Sequence, residues 1–370
     1  MKHGFLLLLV LLLTVASAAS ADFSASSAVY DPDLADMALN ISELCYLPSV
    51  QSEVLATGGY RLVGVFNADR DPSDTRHVAT YSLYDRTPDG GRTEVIIAVR
   101  GTGQGEWKLN MELMPSGNFD LPYAENFVLA AEDVLSTQAA YLDSLNDPCF
   151  LVTGFSRGAA VANILGARLT DRYQPENVFV YTFATPRTVR GEIPAYGNIF
   201  NIINPADVIP RLPFPQWGFE RYGTDLLLPV DDPSLQEAAE QAYAQRPNQS
   251  GAYVSPQGKT EAAEQLIAVL ASIAETPADG YGARHAFAHP GFAAEDEPGM
   301  TPSEFMLQLF DGSLLSASGD SSPLAQLSGA ENDFTPVLAA LQRLQTGDGT
   351  SWFLAMHLPG TYGAWLPFLK

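Results

Sequence analysis

The run Cys149-Phe150-Leu151-Val152-Thr153-Gly154-Phe155-Ser156-Arg157-Gly158-Ala159-Ala160 decides how this chain folds. Its first half, Cys149 to Thr153, is short, apolar and partly β-branched, the composition of a buried strand. From Arg157 to Thr170 the pattern changes to that of a helix. Between the two, Gly154-Phe155-Ser156-Arg157-Gly158 fits G-x-S-x-G at a strand-to-helix junction. A serine there sits on a sharp turn, and a glycine two residues away on either side removes Cβ atoms that would collide with the strand and the helix. The pattern alone is weak in a chain with 30 glycines, where it also describes an ordinary glycine-rich turn. Ala159, Ala160 and Ala162 strengthen it, because small residues let a helix close tightly on a sheet.

Working outward, a helix starts near Asp33 after Asp31-Pro32, with Leu34, Ala38, Ile41 and Cys45 on one stripe. Strands are expected over Arg61 to Phe66, Val78 to Tyr84 and Thr93 to Val99, the last two separated by the turn Pro88-Asp89-Gly90-Gly91. One long helix follows from Tyr123 to Leu145, then strands over Asn177 to Phe183 and Asn198 to Ile203. Strands alternating with helices predict an α/β fold: a mostly parallel sheet flanked by helices on both faces. From Asp231 to Thr350 the texture becomes rich in Ala, Glu, Gln, Pro and Gly, with little strand character, which reads as a helical insertion or cap.

Ahead of this domain, Lys2, the apolar run Phe5 to Leu13 and the small residues from Ala16 to Ala21 have the layout of a cleaved signal peptide, residues 1–21, leaving a domain of residues 22–370. That implies a secreted, extracellular protein. At 370 residues, 46% of them hydrophobic, the chain can bury a large core. Its net charge of -23 repels polyanions, so no nucleic-acid partner is expected. Two cysteines, Cys45 and Cys149, leave room for one disulfide or two free thiols and for no disulfide framework. Asn40-Ile41-Ser42 and Asn248-Gln249-Ser250 are glycosylation sequons.

A serine hydroxyl is a poor nucleophile near neutral pH. It needs a histidine to take its proton and a carboxylate to hold that histidine in the right tautomer. On a nucleophile-elbow fold the chain order is Ser, then Asp or Glu, then His. Asp207 lies in Asn204-Pro205-Ala206-Asp207-Val208-Ile209-Pro210, just past an apolar run, where a lone aspartate taken by itself is more often a solvated turn residue.

Together these residues resemble the class 3 lipases of the α/β-hydrolase fold. Val99-Arg100-Gly101-Thr102 is similar to that family's oxyanion segment, and Glu106-Trp107-Lys108-Leu109-Asn110 to the residues that follow it. Phe183-Ala184-Thr185-Pro186-Arg187 resembles the strand after the elbow helix, Asn204 to Pro213 the aspartate loop, and Trp217 to Gly223 the run beyond. The resemblance implies hydrolysis of a lipid or other ester substrate, with a lipid-water interface as a possible setting and no metal or organic cofactor. It implies that Thr102 and Arg157 supply the oxyanion hole through their N–H groups, with the Thr102 hydroxyl as a further candidate donor. Two departures stand out. Phe155 and Arg157 replace the family's usual histidine and leucine, and Glu125-Asn126-Phe127 stands where a His-x-Gly-Phe segment would be, which bears on the shape of the substrate groove.

Three histidines follow Asp207. His285 and His289 lie in a proline- and glycine-flanked stretch that reads as a loop, whereas His357 follows Trp352-Phe353-Leu354 close to the C-terminus, where the family carries its histidine. The expected set is therefore Ser156, Asp207 and His357. Several alternatives stay open: an inactive secreted binding protein on the same fold, a soluble short-chain esterase, and a serine peptidase. Residues 103–122 hold Trp107, Leu109, Met111, Leu113, Met114, Phe119 and Leu121, enough apolar side chains for a lid or for core. Arg157 reads either as a receptor for an anionic headgroup or as one half of a surface ion pair. The oligomeric state is not legible.

Overall fold

In a computed structural model, the structure describes residues 23, 25–69, 76–103, 106–246, 252–275 and 352–369. The expected signal peptide, His285, His289, the second sequon and most of the 231–350 stretch lie outside these residues. No described helix is long and apolar enough to cross a membrane.

Two helices open the chain, α1 (Pro32–Leu44) and α2 (Pro48–Thr57). Asp31 caps α1 by accepting from the N–H groups of Asp33 and Leu34, and Pro32 stands in the first turn, where a missing N–H costs nothing. Next come β1 (Arg61–Phe66), β2 (Tyr81–Arg86) and β3 (Thr93–Val99). After the short α3 (Trp107–Met111), α4 (Glu125–Thr137) and α5 (Ala139–Ser144) lead into β4 (Pro148–Phe155). Beyond the elbow run α6 (Arg157–Tyr173), β5 (Val178–Phe183), β6 (Val189–Arg190), β7 (Ile199–Ile203), β8 (Phe219–Glu220) and β9 (Thr224–Leu227). The described remainder holds α7 (Gln236–Gln245), α8 (Thr260–Glu275), α9 (Trp352–Met356) and α10 (Pro359–Trp365).

The main sheet has seven strands in the order β1-β2-β3-β4-β5-β7-β9. The first two pairings are antiparallel and the rest parallel, and β6 pairs with β8 in a separate two-stranded sheet. Successive side chains of a strand point to opposite faces. Along β3, Val95, Ile97 and Val99 accordingly join one apolar core while Ile96 and Ala98 join the other. The first core contains residues of α4, α6 and α8, the second residues of α1, α7 and α10. Helices thus cover both faces, as a buried parallel sheet requires.

The differences from the expected elements have local causes. The second strand is shifted to Tyr81–Arg86, so Val78 precedes it. The long helix is broken at Gln138, whose buried side chain donates to the Tyr81 hydroxyl at 2.7 Å instead of continuing the amphipathic face. Both cysteines are free and buried, and both belong to the second core. Cys45 receives the amide of Gln51, and Cys149 stands opposite Glu94 at the start of β4. Of the two readings left open, one disulfide or two free thiols, the structure has the second. Asn40, in the first sequon, lies inside α1 with its amide on Asp36 and its oxygen taken by Arg246, and the Ser42 hydroxyl is buried against the Leu39 carbonyl. Within the described part of the 231–350 stretch, α7 and α8 send Ala239, Tyr243, Ala263, Leu266, Ile267, Leu270 and Ala271 into the two cores.

Candidate active site

Ser156 follows the last residue of β4 and precedes the first residue of α6. Its backbone is at φ 57° and ψ -125°, in the region that L side chains rarely adopt. The turn is held by the Ser156 N–H on the Phe183 carbonyl (2.9 Å) and by the Ala160 N–H on the Ser156 carbonyl (3.1 Å). Its glycines are needed for space. A Cβ on Gly154 would lie 2.4 Å from the Gly158 backbone, and one on Gly158 2.2 Å from the Val99 carbonyl oxygen. Close passage of β3, β4 and α6 is thus what presents the serine.

The structure brings Ser156, His357 and Asp207 together. His357 Nε2 is 2.8 Å from Ser156 Oγ, and His357 Nδ1 is 2.7 Å from Asp207 Oδ2. A carboxylate only accepts, so this geometry selects the tautomer with its proton on Nδ1 and turns the Nε2 lone pair toward the serine hydroxyl. Asp207 is wholly buried. Its Oδ1 accepts the Ile209 N–H at 2.9 Å, and its Oδ2 also accepts the Tyr362 hydroxyl at 2.8 Å. Burial and the neighbouring Asp207 carboxylate push the Tyr362 phenol well above its ordinary range, so this donor stays protonated.

The sequence reading gave three supporting residues no part in the site. Asn204 donates from Nδ2 to the Met356 carbonyl at 3.0 Å, tying the aspartate loop to the helix that precedes His357. Phe155 packs its ring against both His357 (5.4 Å between centroids) and Tyr362 (5.3 Å, edge-on), which gives the unusual residue before the serine a use in holding the imidazole. Tyr362 is the third. Its only sequence signal was an aromatic residue five positions past a histidine, and Asn204 offered no more than the turn-forming Asn-Pro pair.

Thr102 and Arg157 flank the same space. Together with Ser156, Asn110, Met111, Leu113, Phe127, Pro186, Ile209, Leu212 and Pro213 they line a pocket of about 460 Å³, counting the part open to solvent. Its walls are mostly apolar. The segment Val99 to Gly103 is braced by Glu106, whose buried carboxylate accepts the Gly103 N–H and lies 3.7 Å from Arg100. Asn126 donates to the Leu109 and Asn110 carbonyls, both at 3.1 Å, and so fixes α3 beside the pocket, while Phe127 forms part of the wall. The residues replacing His-x-Gly-Phe therefore do shape the groove. Leu109, Met111, Leu113 and Met114 are buried, and Phe119 and Leu121 pack against the core, so in this structure they are core and pocket wall. Arg157 does not lie at the surface, as a surface ion pair would require. It is 3% exposed and faces inward, donating to the Val78 carbonyl and to Asn110 Oδ1, each at 3.0 Å. Among the described residues, no cluster of histidine, cysteine and carboxylates could hold a metal.

The family model of the class 3 lipases matches residues 97–217. Among solved structures, the chain is similar to a triacylglycerol lipase described as having a serine protease triad at its catalytic centre (18% identity, 54% of this chain and 81% of that one, TM-score 0.39). It is also similar to the triacylglyceride lipase of Rhizomucor miehei (16% identity, 53% and 77%, TM-score 0.38). A third match is a lipase from Rhizopus microsporus var. chinensis (17% identity, 53% and 72%, TM-score 0.39).

Proposed function

We propose that the chain, whose residues 97–217 match the class 3 lipase family model, is a member of that family and an exported serine hydrolase acting on carboxylic esters, with Ser156, His357 and Asp207 as its catalytic residues. The observation that carries this reading is the unbroken hydrogen-bond chain from Ser156 Oγ through His357 to buried Asp207, opening onto an apolar pocket.

In this reading Ser156 Oγ attacks the ester carbonyl carbon as His357 Nε2 takes the hydroxyl proton. Asp207 holds the imidazole and stabilises its charged form without itself taking the proton. The carbonyl oxygen becomes an oxyanion facing the N–H groups of Thr102 and Arg157. The first N–H groups of a helix have no acceptor within it, so the Arg157 N–H at the start of α6 suits that role. His357 then passes its proton to the departing alcohol, leaving the acyl group on Ser156. Water, activated by the same histidine, releases the acid. None of these steps calls on a metal or an organic cofactor.

The pocket wall of Met111, Leu113, Phe127, Ile209 and Leu212 favours an acyl chain over a polar group, and we take medium or long acyl esters, glycerolipids among them, as the substrate class. A fluorophosphonate probe should label the folded protein at Ser156 and lose that label in Ser156→Ala. No labelling of folded wild-type protein would leave a binding protein on a hydrolase fold. In a p-nitrophenyl ester series, kcat/KM should rise from acetate to medium chains. A sharp maximum at acetate would instead assign a soluble short-chain esterase.

A further inference from the structure

We infer that the side chain of Arg157, and not its N–H alone, serves this site: it sets the direction of a hydrogen-bond chain through Asn110 to Thr102, and so frees the Thr102 hydroxyl proton for the oxyanion. The inference rests on the ester-hydrolase reading.

A guanidinium has donors and no acceptor. Arg157 Nη1 is 3.0 Å from the side-chain oxygen position of Asn110, and Nη2 is 3.0 Å from the Val78 carbonyl, which holds the fork in place. With its oxygen committed to arginine, the Asn110 amide has one orientation, and its NH2 group faces Thr102 Oγ1 at 2.9 Å. An amide NH2 can only donate, so the threonine oxygen must accept. The hydroxyl proton is thereby excluded from the Asn110 side. Thr102, Asn110, Ser156 and Arg157 all line the pocket that the ester would enter, so that proton is available to the carbonyl oxygen of a bound substrate. Without the guanidinium, the Asn110 amide could rotate, offer its oxygen to Thr102 and draw the hydroxyl proton away.

The environment fits this role. Asn110 is buried and its backbone carbonyl is fixed by Asn126, so the relay does not depend on a mobile loop. A buried cation is costly and is retained only where its donors are well used. Here they orient a dipole toward the place where negative charge develops, the arrangement that stabilises an oxyanion without reorganisation at the moment of reaction. Arg157 acts through Asn110 and is in this respect a positioning residue.

A double-mutant cycle on purified full-length protein, with p-nitrophenyl butyrate as substrate, tests the relay. Thr102→Val removes the hydroxyl with little change in shape and should lower kcat by about 100-fold with KM nearly unchanged. Arg157→Met should lower kcat by about tenfold or more in the wild type, and hardly at all in the Thr102→Val background, because the hydroxyl it orients is already gone. Asn110→Asp gives the same readout should Arg157→Met fail to fold. Its carboxylate keeps the arginine contact but accepts from Thr102, so it too should lower kcat at constant KM and be silent beside Thr102→Val. Losses that multiply across the cycle, or an Arg157→Met and Asn110→Asp pair with wild-type kcat, would overturn the relay and leave the hydrolase reading standing. Wild-type protein that turns over no ester would overturn both.

Discussion

Tyr362 and His357 meet the same carboxylate, and they should fail differently. In the proposed mechanism the imidazole carries the proton, so His357→Ala should lower turnover by about a thousandfold or more while the melting temperature holds. Tyr362→Phe removes one of the three donors on Asp207 and leaves Ile209 N–H and His357 in place. A hydrogen bond to a charged group is worth about 1.5 to 3 kcal/mol, so this variant should lose about 10- to 100-fold in kcat and melt at a lower temperature. Steady-state kinetics beside a thermal melt separates the two, and a Tyr362→Phe enzyme with wild-type values in both would remove the tyrosine from the site. The contrast also explains what could be read in advance. Ser156 announced itself through glycines whose spacing is dictated by sterics, and Asp207 and His357 through chain order and resemblance. Arg157 was misjudged because a long side chain at a helix start can turn outward to solvent or inward, and its direction depends on a carbonyl 79 residues earlier in the chain.

At the scale of elements, the elbow is a contact between backbones. A methyl group at residue 158 would lie 2.2 Å from the Val99 oxygen and 2.7 Å from that of Arg100, and neither can yield without moving the end of β3 and the segment that carries Thr102 after it. Gly158→Ala should therefore destabilise the fold by about 1 to 3 kcal/mol and cut fluorophosphonate labelling. Gly197→Ala, where the nearest atom is 4.0 Å away, should stay within about 0.5 kcal/mol of wild type in the same denaturant titration. Equal effects at the two glycines would show that the loss comes from helix or chain flexibility and not from this crossing. The cysteines belong to the same scale. Burial pushes the Cys45 thiol up to about 11 and that of Cys149 to about 12. A thiol reagent at pH 8 should label neither in the native protein and both after unfolding without reductant. Strands and helices of this kind were legible because burial on two faces writes itself as apolar runs and stripes. The break at Gln138 was not, since it depends on a hydroxyl 57 residues away on β2.

Over the whole molecule, the two cores are held together by tyrosines as well as by aliphatic side chains, and this fixes how stability depends on pH. Tyr81 and Tyr84 are pushed up to about 12, and Tyr30, Tyr60, Tyr141, Tyr181 and Tyr362 are raised as well, in every case first by burial and, for all but Tyr84, with a carboxylate or phenol nearby adding to it. In the unfolded chain each phenol returns to its ordinary value near 10. Between that value and the raised one, the native state binds more protons than the unfolded state. Stability is then fully present below about pH 10 and falls as pH rises, by about 1.4 kcal/mol per pH unit for each such phenol. The two thiols add the same sign from about pH 9. A net charge of -23 already repels itself, and every new tyrosinate increases that repulsion in the compact state. Denaturant titrations from pH 7 to 11 should therefore show a plateau followed by a steep alkaline loss. Tyrosinate absorbance should rise together with the loss of native circular dichroism, in one cooperative step. Tyrosines that ionise near pH 10 while the circular dichroism stays native would mean that these hydroxyls are open to water and that the two cores are looser than their packing implies.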